Sequence, residues 1–427
     1  MVGRSTVVRW IGLVVGMPLL ALLLVISGQL FPDGRVEREM YLAVRDGSLE
    51  ADSYQIGYTG GVLDGHSECK RMSVGLGAPA GMGVVESAIR SPTLGACESA
   101  VPKLLAWADG EALTKSYEYF RYWNGSAVLL RPSVGFVGVA GSRLLAAVAL
   151  AIAIVGLAAA LARVAGRAAA AVALAPLVLT TDFIDLPGAL LQAIGMIVAL
   201  ASAALILWFL RAESSPGTYA SVGFAAGGAF LFFADLTNPD AAWTLAAGCA
   251  AVLAVSAARF ADAAIRVAAV TVAWIAGFAW LWMTKWIVAS FVYGFDGVRS
   301  AIVNQADERL NGDADGIGTS RFAGFTRAWN EWWNEPLVTV VVLGAIGAAV
   351  VIAVRRGDIA ATWQRRLLIA SPAVIPFVWH VVMRQHTYIH GWFTYRAFAV
   401  ALGIALLGLT ARLREPVPSQ IEGDQAR

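Results

Sequence analysis

The sequence predicts an all-α integral membrane protein with about ten transmembrane helices and a helical, loop-rich subdomain after the first span. Three observations predict it. Hydrophobic residues make up 58% of the chain and charged residues only 15%, where a soluble protein carries about 25% charged. The mean hydropathy is +0.66. The arginines recur where even-numbered apolar runs end: Arg163 and Arg167, Arg211, Arg259 and Arg266, Arg355, Arg356, Arg365 and Arg366, Arg412 and Arg414. That is the positive-inside pattern, and it predicts a multi-pass protein of a bacterial plasma membrane with both termini cytoplasmic.

The elements follow in order. A signal-anchor helix occupies 1–30; Arg4 and Arg9 precede its apolar run, and Phe31-Pro32-Asp33-Gly34 makes a poor cleavage site. A first extracytoplasmic loop subdomain covers 31–137. Helices two to seven fill 138–291, at approximately 138–162, 168–182, 188–210, 217–234, 240–258 and 264–291; Pro176 interrupts the third span, the shortest. A second extracytoplasmic loop covers 292–335. Helices eight to ten fill 336–414, at approximately 336–354, 367–383 and 395–412, and a polar cytoplasmic tail covers 415–427. No period of 20 to 50 residues repeats, which excludes a solenoid.

The formal net charge of +2 is explained by inner-loop arginines; with no long basic stripe, nothing points to nucleic acid as a partner. The glycine-rich stretch Gly75 to Gly83 lacks the Gly-Lys-Ser/Thr of a phosphate loop, and Asn311-Gly312-Asp313-Ala314-Asp315-Gly316 lacks full calcium-ligand spacing; both read as solvated loops. Cys249 lies inside an apolar run. Cys69 and Cys97 share the first outer loop, where an oxidising compartment would make them a disulfide; two free thiols is the alternative.

Chemistry-bearing residues gather at the outward ends of the spans. Asp64-Gly65-His66-Ser67-Glu68 sets Asp64 and Glu68 four apart, a spacing that suits a general base with a second acid, or a plain solvated loop. The block Tyr117 to Gly125 offers Arg121, Trp123 and Asn124, and Arg131 follows; Arg121 and Arg131 sit on the outer side against the charge rule. An arginine fork suits phosphate, and snorkelling or pairing with a loop acid is the other reading. Asp182 and Asp185 flank a short outer turn, and Asp235 ends the fifth span. Lys285, near the end of the seventh, is either a ligand contact or the partner of Asp235 or Asp182. His386 and His390 have metal-ligand spacing on a helix but no glutamate between them; with Arg396 they suit phosphate or sugar better than a metal.

In layout the chain resembles the GT-C glycosyltransferases: many spans, a large first outer loop with an acid at Asp64 or Glu68, and basic residues (Arg121, Lys285, the His386 to Arg396 turn) where a donor phosphate would sit. The resemblance covers most of the chain. It implies sugar transfer from a polyprenyl-phosphate donor to a cell-envelope acceptor, a polysaccharide, glycolipid or exported protein, on the extracytoplasmic face. It assigns no certain cofactor and leaves open whether a divalent cation takes part. Two rival readings use the same residues: a transporter or flippase of a lipid-linked saccharide, and a non-enzymatic envelope assembly protein.

Overall fold

The computed structural model describes residues 4–51, 54–56, 62–64, 66–256, 259–311, 320–334 and 337–413, with the side chains of 4–7, 54–56, 62–64, 66 and 311 left undescribed. Residues 312–316 of the Asn311 to Gly316 turn and the tail from 414 onward lie outside these residues, as does the side chain of Asp64. The first apolar helix, α1, runs Val8–Gln29. The segment after it folds as α2 (Asp33–Arg45), β1 (Tyr54–Ile56), β2 (Val62–Asp64), α3 (His66–Met72), α4 (Val84–Arg90), β3 (Pro92–Thr93), α5 (Cys97–Ala108) and β4 (Tyr117–Glu118). Its strands form two small antiparallel ladders, β1 with β2 and β3 with β4.

The remaining helices are α6 (Ser126–Ala165), α7 (Arg167–Leu179), α8 (Leu190–Phe209), α9 (Pro216–Ala234), α10 (Pro239–Ala254), α11 (Phe260–Tyr293), α12 (Phe295–Asn311), α13 (Ala323–Trp333) and α14 (Val338–Arg356). They are followed by α15 (Ile359–Val382), α16 (Arg384–Ile389), α17 (Gly391–Thr394) and α18 (Arg396–Thr410). Among the described residues eight stretches are long and apolar enough to cross a membrane, and α7 and α10 are shorter apolar helices. Phe209 and Phe291 stand 79% and 82% exposed on the outside of the bundle, an apolar surface that suits lipid. The chain is a multi-pass α-helical membrane protein.

Three details depart from the predicted boundaries. The helix expected to begin at 138 begins at Ser126 and is 40 residues long, about 60 Å at 1.5 Å per residue. Its backbone breaks at Gly138 (φ 72°, ψ 180°), so the predicted membrane entry is a kink within one helix, placed where only glycine tolerates the conformation. The second outer segment holds two helices, α12 and α13. Helix α10 is short because it is nearly all buried: a helix apolar all round and enclosed by α8, α9, α11 and α18 does not have to match the bilayer's thickness.

Hydrogen bonds between distant segments define the two ends of the bundle. At one end, Gly125 N donates to Phe232 O, Trp123 Nε1 to Leu281 O, and Arg396 Nε to Thr181 O. At the other, Arg412 N donates to Ala165 O, Arg266 Nε to Ser214 O, and Arg9 Nη1 to Thr218 Oγ1. The first and last described helices therefore have their outer termini at this second, arginine-rich end.

Candidate functional site

Helix α3 is the element that positions the site. It is held on three sides. Cys69 is bonded to Cys97 at the start of α5, with Cα atoms 5.0 Å apart. Glu68, buried, takes a two-pronged contact from Arg143 of α6, at 2.6 Å and 3.3 Å. Arg71, one turn on and also buried, forms an ion pair with Asp235 and donates to Asn124 Oδ1. Its guanidinium lies 4.8 Å from the Tyr119 ring centroid, and its Nε has no protein hydrogen-bond partner among the described residues.

Asp235 caps α9 just beyond the membrane-spanning segment. Its φ of 51° and ψ of −118° lie outside the left-handed helical well, in a region that only glycine takes without strain. Burial pushes its carboxyl up to about 6, against the opposing pull of Arg71 and Lys285. Lys285, fully buried on α11, donates to Ile89 O at 2.8 Å and lies 5.5 Å from the Trp123 ring centroid. Asn124, also at positive φ (57°), points Nδ2 at Tyr119 O and Tyr122 O and so offers Oδ1 to Arg71.

The histidine turn closes the next side. His386 is buried on α16, its ring 4.8 Å from that of His390, and it reaches the backbone of Leu236, the residue after Asp235. Burial, then the charges of His390 and Arg309, hold its pKa well below the usual 6.5, so it is neutral at physiological pH. Arg309 of α12 donates to Gln385 Oε1 at 3.2 Å, tying the second outer segment onto this turn. Strand β2, which ends at Asp64, lies against α17, directly after His390.

The structure thus brings Trp123, Asn124, Asp235 and Lys285 into one cluster, with His386 and His390 beside it and the backbone of Asp64 against the same turn. Other candidates are engaged elsewhere. Arg131 donates to Gly28 O (3.0 Å), Val74 O (2.6 Å) and Phe31 O (2.8 Å) and pairs with Asp33, a pattern that fastens the subdomain to the first helix. Arg121 holds Trp282 and Trp286 through its carbonyl and extends its side chain over Tyr119, 5.5 Å from the ring centroid. Arg396 lies in a neighbouring layer, on Thr181 O (3.1 Å) and Gln192 Oε1 (2.9 Å), with Nη2 buried and without a hydrogen-bond partner among the described residues. Asp182, also at positive φ, accepts from Tyr395 Oη at 3.4 Å in that layer. Among the described residues no group of three or more His, Cys, Asp or Glu side chains is arranged to hold a metal.

The central cation, Arg71, was not among the residues singled out from the sequence. Its signal was present: like Arg121 and Arg131 it is an arginine on the predicted outer side, and it stands two residues after Cys69, just beyond the acid pair. Comparison of the chain with protein families, with curated proteins and with solved structures finds no match in any of the three. What fold and site define is a class: a multi-pass helical membrane protein with one polar, ion-paired helix end.

Proposed function

We propose that the protein is a membrane glycosyltransferase of GT-C-like architecture. It would take a sugar from a polyprenyl-phosphate donor to a cell-envelope acceptor on the extracytoplasmic face of a bacterial plasma membrane, its arginine-rich end cytoplasmic. One observation carries the reading. A buried Arg71–Asp235 pair, with Lys285 alongside, sits at the helix end beside the His386 turn, and the strand that ends at Asp64 lies against α17, directly after that turn. Buried cations at a membrane edge suit a lipid-borne phosphate, and a carboxylate on the adjoining strand suits deprotonation of an acceptor hydroxyl.

In this mechanism the acceptor oxygen attacks the anomeric carbon of the donor sugar while the bond from that carbon to the phosphate oxygen breaks. The electron pair leaves on the polyprenyl phosphate, where Arg71, Lys285 and Arg121 meet the developing charge. The acceptor proton passes to Asp64, with Asp235 holding Arg71 in place. The test is purified protein with a panel of radiolabelled polyprenyl-phosphate sugars and envelope acceptors. Transfer is expected, lowered at least a hundredfold by Asp64→Asn. Absence of transfer from every donor by monodisperse protein sinks the proposal.

A second reading rests on a different observation. Asp240 at the start of α10 and His380 of α15 form a fully buried pair, Nδ1 to Oδ2 at 3.4 Å, between helices. Ionisable residues so placed also suit a transporter or flippase. Translocation of a lipid-linked saccharide in proteoliposomes without chemical turnover would favour it.

A further inference from the structure

At the arginine-rich end, away from the candidate site, a cavity of about 570 Å³ opens between the ends of α6 and α8, the end of α10 and the segment after α18. Three arginines from three segments line it: Arg163, Arg211 and Arg412. Among the described residues Glu213 is the one acid in the lining. The three cavity arginines are exposed, unlike Arg71, Arg131 and Arg366, which are buried and paired with Asp235, Asp33 and Asp358. Among the described residues none of the three cavity arginines forms an ion pair, although a fourth, Arg356, lies within electrostatic reach of Arg412. Exposed like charges converging on one cavity set up a positive potential that draws an anion to it.

The lining is also preorganised. The Arg163 guanidinium stacks 4.0 Å from the Trp208 ring centroid and one of its nitrogens donates to Leu207 O, which fixes the plane and leaves most of its donors free. The floor is apolar, with Leu207, Leu253 and Val255 buried. Trp208 and Phe209, exposed at the same helix end, mark the level of a membrane interface.

We propose that this cavity binds the phosphate of an anionic phospholipid, with the acyl chains running down the apolar wall and the arginine fork on the headgroup. Inorganic phosphate shares the headgroup's chemistry but not the apolar contact, which is why the lipid is favoured.

The test uses the full chain in detergent, titrated with phosphatidylglycerol or phosphatidylcholine and read by native mass spectrometry. Wild type should retain phosphatidylglycerol at lipid concentrations where phosphatidylcholine is lost. Arg163→Gln, Arg211→Gln and Arg412→Gln should each weaken retention by about fivefold, and the triple variant should abolish the preference. A control triple outside the cavity, Arg167→Gln with Arg355→Gln and Arg365→Gln, removes the same charge and should keep the preference. If the control loses as much as the cavity triple, or wild type shows no preference, the site is refuted. Melting curves separate the sources: phosphatidylglycerol should raise the melting temperature and inorganic phosphate alone should not. A shift with phosphate and none with the lipid overturns the lipid assignment. Should the triple variant fail to fold, Arg412→Gln carries the test, because that side chain makes no hydrogen bond among the described residues.

Discussion

The two ends of the helix bundle solve the same problem, charge beside a membrane, in opposite ways. At the arginine-rich end the cations cap helix termini. Arg163 donates to Leu207 O, Arg356 to Thr410 O, and Arg366 to Leu409 O at 2.6 Å. These are carbonyls at or next to helix C-termini, where positive charge is favoured by the backbone dipoles. The left-handed positions there are glycines, Gly166 and Gly357. At the other end the charges are buried against each other, and the described non-glycine residues at positive φ, Ser91, Asn124, Asp182, Asp235 and Asn238, all lie there. Strain that persists in side-chain-bearing residues collects where a site has to be held in shape. One end is built to settle the fold in its membrane; the other tolerates strain and buried charge that the fold alone does not require.

The largest expected effect tests that difference directly. Arg71→Met strands Asp235 as a buried, unpaired carboxylate and should destabilise the protein by about 3–5 kcal/mol in a denaturant titration of the micellar protein. Arg71→Met with Asp235→Leu removes both charges and should recover most of that loss while leaving the protein inactive. A double variant as unstable as the single would mean that the ion pair is not what holds this end. The next effect is the disulfide. Cys69 and Cys97 are 28 residues apart, so Cys69→Ser with Cys97→Ser should cost about 3 kcal/mol by chain-entropy arguments, with the arginine end unaffected. Hydrogen exchange can locate the loss: protection should fall in α3 and α5 and stay constant around Leu207 and Thr410.

The arginine end was almost wholly legible in the sequence, because hydropathy and the alternation of Arg163, Arg211, Arg266, Arg355 and Arg412 are one-dimensional signals that the bilayer imposes on any chain. The polar end was legible as a list of residues but not as a site. The spacing of Asp64 and Glu68 gives no hint that Glu68 faces Arg143, 75 residues away, or that Arg131 hydrogen-bonds to carbonyls instead of facing a ligand. Such contacts join residues far apart in the chain, and no local pattern encodes them. Arg71 was overlooked because an arginine two residues after a cysteine in a polar loop looks like a solvated charge. Its burial depends on Asp235, which arrives 164 residues later. The kink at Gly138 was visible only as the point where apolar composition begins.

A smaller effect concerns pH, and its sign separates two buried groups of the polar end. The Asp235 carboxyl binds its proton more tightly in the fold than its ordinary value of 3.8 implies, being raised to about 6. Its contribution to stability is therefore fully present below 3.8 and is lost as pH rises through about 6. His386 acts in the reverse sense: its pKa is lowered from 6.5, so its contribution is present above 6.5 and is lost as pH falls through the lowered value. The wild-type melting temperature mixes the two. The difference between wild type and Asp235→Asn isolates the acid and should move in wild type's favour on acidification from 6 to 3.8. A flat difference would show that Asp235 titrates normally and is not desolvated.

The smallest effect is expected at the other end, and it is the one on which the contrast most depends. Arg163 is exposed, stacks on Trp208 and makes one hydrogen bond to Leu207 O, but it balances no buried charge. An exposed cation–π contact is worth about 0.5–1 kcal/mol, so Arg163→Gln should lower stability by no more than that in lipid-free detergent. Little is left stranded when the guanidinium goes, because Leu207 lines the cavity, where water can take the place of the guanidinium. The loss should also be insensitive to salt, since no carboxylate partner is screened. If Arg163→Gln instead proves as damaging as Arg71→Met, the arginine end carries an electrostatic load beyond its Arg366–Asp358 pair, and the division between a settling end and a strained end fails.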